Sequence, residues 1–155
     1  EIIRRRPSWY GYYLGNFRYL ERGDHDWNTR GRDIAEDRLT QVAHVADAIE
    51  AKVAIAMIPA PVQVCNPDEL TYYPRHINLQ DGQNYDKELH QRLTGEMAQR
   101  LGFAFYDLIP VLRSVGGGCP YQPKNMHWTA VGHEAVAGYL ARSLTEAGFL
   151  DVTKE

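Results

Sequence analysis

The sequence predicts an α/β fold with parallel strands, of the kind that forms the later half of a doubly wound domain. Two observations carry this. Helix-like and strand-like stretches alternate in the order helix, strand, helix, strand, helix, the pattern of parallel strands joined by right-handed crossovers. Yet only "KVAIAMIP" (52–59) and "FAFYDL" (103–108) read as strands. A parallel sheet buries both faces and normally has four or more strands, so two of them leave three long helices partly uncovered. The remaining strands are expected from a preceding segment or from elsewhere.

The elements follow in order. Residues 1–33 form an aromatic and basic N-terminal segment with a loop. Arg4 to Arg6 precede Trp9, Tyr10, Tyr12, Tyr13, Phe17 and Tyr19 without clear periodicity, and 21–33 is polar and rich in Gly, Asp and Asn. Aromatics in such a stretch usually pack on their own domain; a base-stacking or membrane-surface role is the alternative. From 34 to 150 the chain reads as one α/β portion. Ile34, Leu39, Val42, Val45, Ala46 and Ile49 recur at helical spacing and predict a helix over 34–51, with Asp33 as its N-cap.

The apolar run 52–59, closed by Pro59, reads as a fully buried strand. Residues 60–84 hold Pro61, Pro67, Pro74 and Gly82 and read as a long loop, a length that is usually functional. Tyr85, Leu89, Leu93, Met97 and Leu101 predict a helix over 85–101, stopped by Gly102. After the strand at 103–108 come a short turn, the loop "GGGCPYQPK" (116–124) and a last helix over 129–147 that ends at Gly148.

Composition narrows the function. With 155 residues, 44% hydrophobic and 24% charged, the chain has the size and balance of one soluble domain. Its 17 basic and 20 acidic residues, net charge -3, argue against a partner recognised through a phosphate backbone, so no nucleic acid is expected. No run of about 18 apolar residues exists, so no membrane span is expected. Cys65 and Cys119 lack CxxC or metal-ligand spacing, and neither a metal nor a cofactor is expected. They are either one disulfide, which would favour an extracytoplasmic location, or two buried thiols.

The most informative stretch is "NMHWTAVGHEAVAGYL" (125–140). His127 stands just before a helix, fixed by it yet open to a cleft, as a general base must be. Sites in doubly wound folds form at the carboxyl ends of the strands, where the loops after 58, after 108 and around 127 converge. Asn125 is an orienting neighbour for the imidazole. "FYDLIPVLRS...YQPKNMHWTAVGHEAVAGYLARSL" resembles the C-terminal block of the SGNH (GDSL-like) hydrolase superfamily, above all its polysaccharide O-acetyltransferase and acetylesterase branch. The resemblance is close over 103–144 and loose over 35–147.

The resemblance implies a flavodoxin-like three-layer α/β/α sandwich. It also implies hydrolysis or transfer of ester-linked acyl groups without a metal, and His127 as the base of a Ser-His-Asp triad. His127, Trp128, Gly132 and His133 match the family's motif. Two positions depart from it. Asn125 stands where the family has Asp; in serine proteases that exchange costs about 10⁴ in turnover. The Gly-Asp-Ser block and the oxyanion-hole blocks are not visible. Ser8, Ser114 and Ser143 are the only serines, and none follows a strand in the way a nucleophile does.

The expectation is therefore the C-terminal part of an SGNH-like esterase or O-acyltransferase, with His127 and Asn125 contributed here. Its substrate would be an acylated small molecule or carbohydrate, bound with Trp128, Tyr72 and Tyr73. A protein segment would complete the sheet and bring the nucleophile. The alternative is a degenerate, non-catalytic binding or assembly module.

Overall fold

The computed structural model describes residues 17–23, 25–71, 73 and 77–150. A short 3-10 turn, Arg18–Leu20, precedes helix α1 (Asp26–Ala48). Strand β1 (Ala54–Met57), the short helix α2 (Pro61–Val64) and a 3-10 turn (Pro67–Glu69) come next. Helix α3 (Leu89–Arg100), strand β2 (Ala104–Asp107), helix α4 (Ile109–Arg113) and helix α5 (Ala130–Glu146) complete the order. The fold is mixed α/β, a two-stranded parallel sheet packed against helices, with Ala54 opposite Ala104 and Met57 opposite Asp107.

The two faces of β2 are covered by different helices. Side chains alternate along a strand, so Phe105 and Tyr106 point to opposite sides. Phe105 meets α3 at Gly95, where an added Cβ would lie 3.2 Å from the ring; the missing side chain lets the helix sit on the strand. Tyr106 meets α5 on the other side. Its hydroxyl donates to the Ser143 carbonyl at 3.3 Å, and its ring is edge-on to Tyr139 at 6.2 Å.

Strand β1 corrects the expectation of a fully buried strand. Val53, Ile55 and Met57 are half-buried, but Ala54, Ala56 and Ile58 are exposed. The carbonyls of Val53 and Met57 accept from Ala104 and Leu108 N–H at 3.0 and 3.4 Å. In a parallel ladder the intervening residues, Ala54 and Ala56, turn their backbone groups the other way. That edge has no strand partner among the described residues.

Helix α1 also corrects its prediction, starting at Asp26 rather than 34. Periodicity registers only apolar residues, and the first two turns here are polar. They are nonetheless helical, the Thr29 N–H bonding the His25 carbonyl at 3.0 Å. Asp26 in the first turn suits the positive end of the helix dipole, whereas Asp33 lies inside the helix and caps nothing. The C-terminal end gives no glycine cue, because Glu50 takes the left-handed conformation (φ 53°). Helix α3 begins at Leu89, not 85, because Tyr85 is bridged antiparallel to Glu21.

The core lies mainly beyond the carboxyl ends of the strands. Leu20, Leu108, Ile109 and Leu112 are at most 1% exposed, and Val62, Cys65, Leu70, Leu79, Tyr121 and Val136 are buried with them. The described residues of the connection after β1 therefore contribute to the core through Val62, Cys65, Leu70 and Leu79 rather than forming a bare loop. Its α2 begins with Pro61, whose fixed φ suits the first helical position. Asn66 and Glu69 cap the following turn reciprocally: Asn66 Oδ1 accepts from Asp68 N–H at 3.2 Å, and Glu69 Oε2 from Asn66 N–H at 3.0 Å.

Candidate active site

The segment carrying His127 folds back on itself at the carboxyl end of the sheet. Tyr121 and Trp128 form an antiparallel bridge, and Gln122 N–H donates to the His127 carbonyl at 2.8 Å. Thr129 closes the base: its N–H and hydroxyl both bond the Pro120 carbonyl, at 2.8 and 3.1 Å, and its Oγ1 accepts from Gly132 N–H as the N-cap of α5. A Cβ on Gly132 would lie 2.5 Å from the Pro120 carbonyl oxygen and 3.2 Å from Trp128 Cβ. Only glycine allows this closure, which gives the glycine of the "Gly-His" pair a structural reason.

Three links fasten this segment to the connection after β1. The Tyr121 hydroxyl donates to the Pro59 carbonyl. The Thr71 N–H and hydroxyl both bond the Pro123 carbonyl, at 3.0 and 2.7 Å. Cys65 and Cys119 form a disulfide. Burial pushes the Tyr121 phenol up to about 12, so the hydroxyl remains a donor across the neutral range.

His127 is exposed, and its ring makes no hydrogen bond among the described residues. Asn125 is beside it, but its Oδ1 accepts from the His127 backbone N–H at 2.9 Å, so it shapes the turn rather than holding the imidazole. Trp128 is half-buried, edge-on to Tyr121 at 6.3 Å and to His133 at 5.2 Å, and its indole N–H is buried with no hydrogen-bond partner among the described residues. Tyr73 is a packing residue. Its hydroxyl donates to the Ile77 carbonyl at 2.5 Å and accepts from Leu79 N–H at 3.3 Å, and its ring meets Phe17. Tyr72 lies outside the described residues, as do Trp9, Tyr10 and Ser8.

Neither described serine reaches His127 as a nucleophile. Ser143 sits fourteen residues beyond Thr129 on α5, roughly 20 Å along its axis. Ser114 donates its hydroxyl to the Val111 carbonyl at 2.8 Å. Asp107 Oδ1 accepts from Ile109 N–H at 2.9 Å, so its carboxylate serves the start of the helix that follows the strand. No group of three metal-ligating side chains converges among the described residues.

Beside the His127 loop, at the end of β1, is an apolar cavity of about 420 Å³ formed by Tyr19, Met57, Pro59, Ala60, His90 and Met126, among others. Met126 brings the loop to this cavity. Gln63 keeps its floor in place: it accepts from Ala60 N–H at 2.7 Å and donates to Gln91 at 2.8 Å and to the Lys87 carbonyl. His90 is the residue that sequence reasoning passed over. Its Nε2 lies 2.7 Å from the Tyr19 carbonyl, and burial holds its pKa below the ordinary range, so it is a neutral donor. Nothing in its helical setting marks it; only the fold brings it to the cavity.

No family model, no curated protein and no solved structure matches the chain.

Proposed function

We propose that this chain is the C-terminal, base-bearing part of an SGNH-like serine esterase or O-acyltransferase, acting on ester-linked acyl groups. The nucleophile, the oxyanion hole and the remaining strands come from a segment outside these 155 residues. The observation that carries this reading is the His127 loop, fastened at the carboxyl end of a parallel strand beside an apolar cavity, with the imidazole free to meet a hydroxyl. In the completed site His127 takes the proton of the attacking serine and returns it to the departing alkoxide, through an acyl-serine intermediate.

The flavodoxin-like sandwich is supported by three features. Helices α3 and α5 lie on opposite faces of β2. Both outer edges of the two-stranded sheet lack a strand partner among the described residues. Helix α1 exposes Ile34, Val42, Val45 and Ile49 along one face, as a helix does whose strands are missing. An acetylated carbohydrate as substrate rests on the resemblance alone. The disulfide supports an extracytoplasmic location.

The non-catalytic module is the second reading, favoured by Asn125, whose amide oxygen is spent on the backbone. Acetyl-ester turnover by the polypeptide that carries these residues in nature separates the two. His127→Ala is expected to lower kcat by at least about 10²- to 10⁴-fold, the usual contribution of a general base, with an unchanged circular dichroism spectrum. A parent without turnover, or a variant as active as the parent, selects the module.

A further inference from the structure

We infer that the cleft between the start of α1 and the start of α3 is a binding site for an oxyanion, a carboxylate or a phosphate group. It is built from three segments. The antiparallel bridge between Glu21 and Tyr85, with Arg22 N–H on the Asn84 carbonyl at 2.8 Å, fixes Arg22 beside Asp86. Helix α3 contributes Arg92 one turn from its start, and helix α1 contributes Arg32 two turns from its own. Together with Asn28, Thr29 and His90 these residues line a cavity of about 260 Å³, a little below the usual size of a small-molecule pocket and ample for one charged group.

The charges in the cleft do not balance. Asp86 is the one acidic residue among the described lining residues, and it already holds two guanidinium groups, Arg92 at 2.9 Å and Arg22 at 3.5 Å. Burial raises the Asp86 pKa, but the hydrogen bonds from Arg92 and from Glu88 N–H, with the charges of both arginines, lower it further, so it is ionised. His90 is neutral. Arg32 is half-buried and has neither an ion pair nor a hydrogen bond among the described residues. Three guanidinium groups thus face one carboxylate.

A partly buried cation is normally paired, and a guanidinium presents a planar fork of donors that matches two oxygens of one anion. The ligand completes the pairing that Asp86 leaves unfinished, with Arg32 as its principal contact. Arg22 and Arg92, held in place by Asp86, lend their remaining N–H groups. The cleft adjoins the cavity at the end of β1 through His90, which lines both. The inference nevertheless rests on the arginines alone and holds whether or not the chain takes part in acyl transfer.

Isothermal titration of the full chain with inorganic phosphate and with succinate, at a fixed ionic strength of about 0.15 M set with chloride, tests it. At that ionic strength charges farther apart than about 8 Å are screened, so saturable binding requires directed contacts. At least one of the two anions is expected to bind with a measurable Kd, and which one it is identifies the group. Arg32→Ala should weaken it about tenfold or more. Arg32→Lys keeps the charge without the fork and guards against a failure of the alanine variant to fold; it should weaken binding as well. Arg38→Ala, an exposed arginine farther along α1, should leave it unchanged. Saturable binding of neither anion, or equal binding by the parent and the Arg32 variants, overturns the site.

Discussion

The two sides of this small sheet are finished to different degrees. Both side-chain faces of β2 have a partner: α3 on Phe105, α5 on Tyr106, and beyond the strand lies a core of Leu108, Ile109 and Leu112 closed by the segment that carries His127. Along β1 alternate side chains face solvent, and the 23-residue α1 leaves its apolar stripe open among the described residues. Burying a Val or Ile side chain is worth about 1.5–3 kcal/mol, so the open stripe forgoes several times that. The difference teaches that the candidate site is fastened by contacts the chain makes within itself, while the apolar stripe of α1 is left exposed among the described residues.

The largest effect is expected from cutting the covalent tie on the finished side. The disulfide spans 54 residues, for which loop-closure entropy gives about 4 kcal/mol. A Cys65→Ala, Cys119→Ala variant should lose stability of that order in urea unfolding. A loss below about 1 kcal/mol would mean that the segment carrying His127 is held by its hydrogen bonds alone.

The next effect concerns the Tyr121 latch onto Pro59. The phenol has an ordinary pKa of 10.0 in the unfolded chain and about 12 when folded. A raised value means that the contribution is fully present below pH 10 and is lost as the pH rises from 10 towards 12. Two units correspond to about 2–3 kcal/mol. Tyr121→Phe should cost about 1–2 kcal/mol at neutral pH, since it leaves a buried carbonyl unpaired, and should flatten the alkaline fall in stability. An alkaline fall of unchanged size in the variant would assign it to another group.

The sequence made the finished side legible and the rest less so, for physical reasons. Both strands, the turn after β2 and helix α5 show in apolar runs and in the stop at Gly148, because local cues and final structure agree there. The polar first turns of α1 carry no periodicity, and Glu50 ends that helix in a conformation usually given to glycine. The connection after β1 reads as loop because its core residues, Val62, Leu70 and Leu79, are too widely spaced to form a pattern. At the candidate site His127 stands out by its motif. The opposite assignment of the Asn125 oxygen, and the roles of His90 and Arg32, depend on contacts between residues far apart in the chain.

The smallest effect is expected on the open side, and it decides whether the comparison stands. Val45 is 63% exposed in the middle of the α1 stripe, between Val42 and Ile49. Replacing an uncovered side chain alters neither packing nor solvation of a partner, so Val45→Glu should shift the unfolding free energy by no more than about 0.5 kcal/mol. A charge in the centre of the stripe should also abolish any association of the chain through it, which sedimentation of parent and variant would detect. If instead the variant loses more than about 1 kcal/mol as a monomer, Val45 is covered from within the chain. The aromatic residues before Phe17 would then be the ones to replace next, because a stripe that the chain closes by itself needs no added strands. The reading of β1 as an inner strand of a larger sheet would then lose one of its three supports.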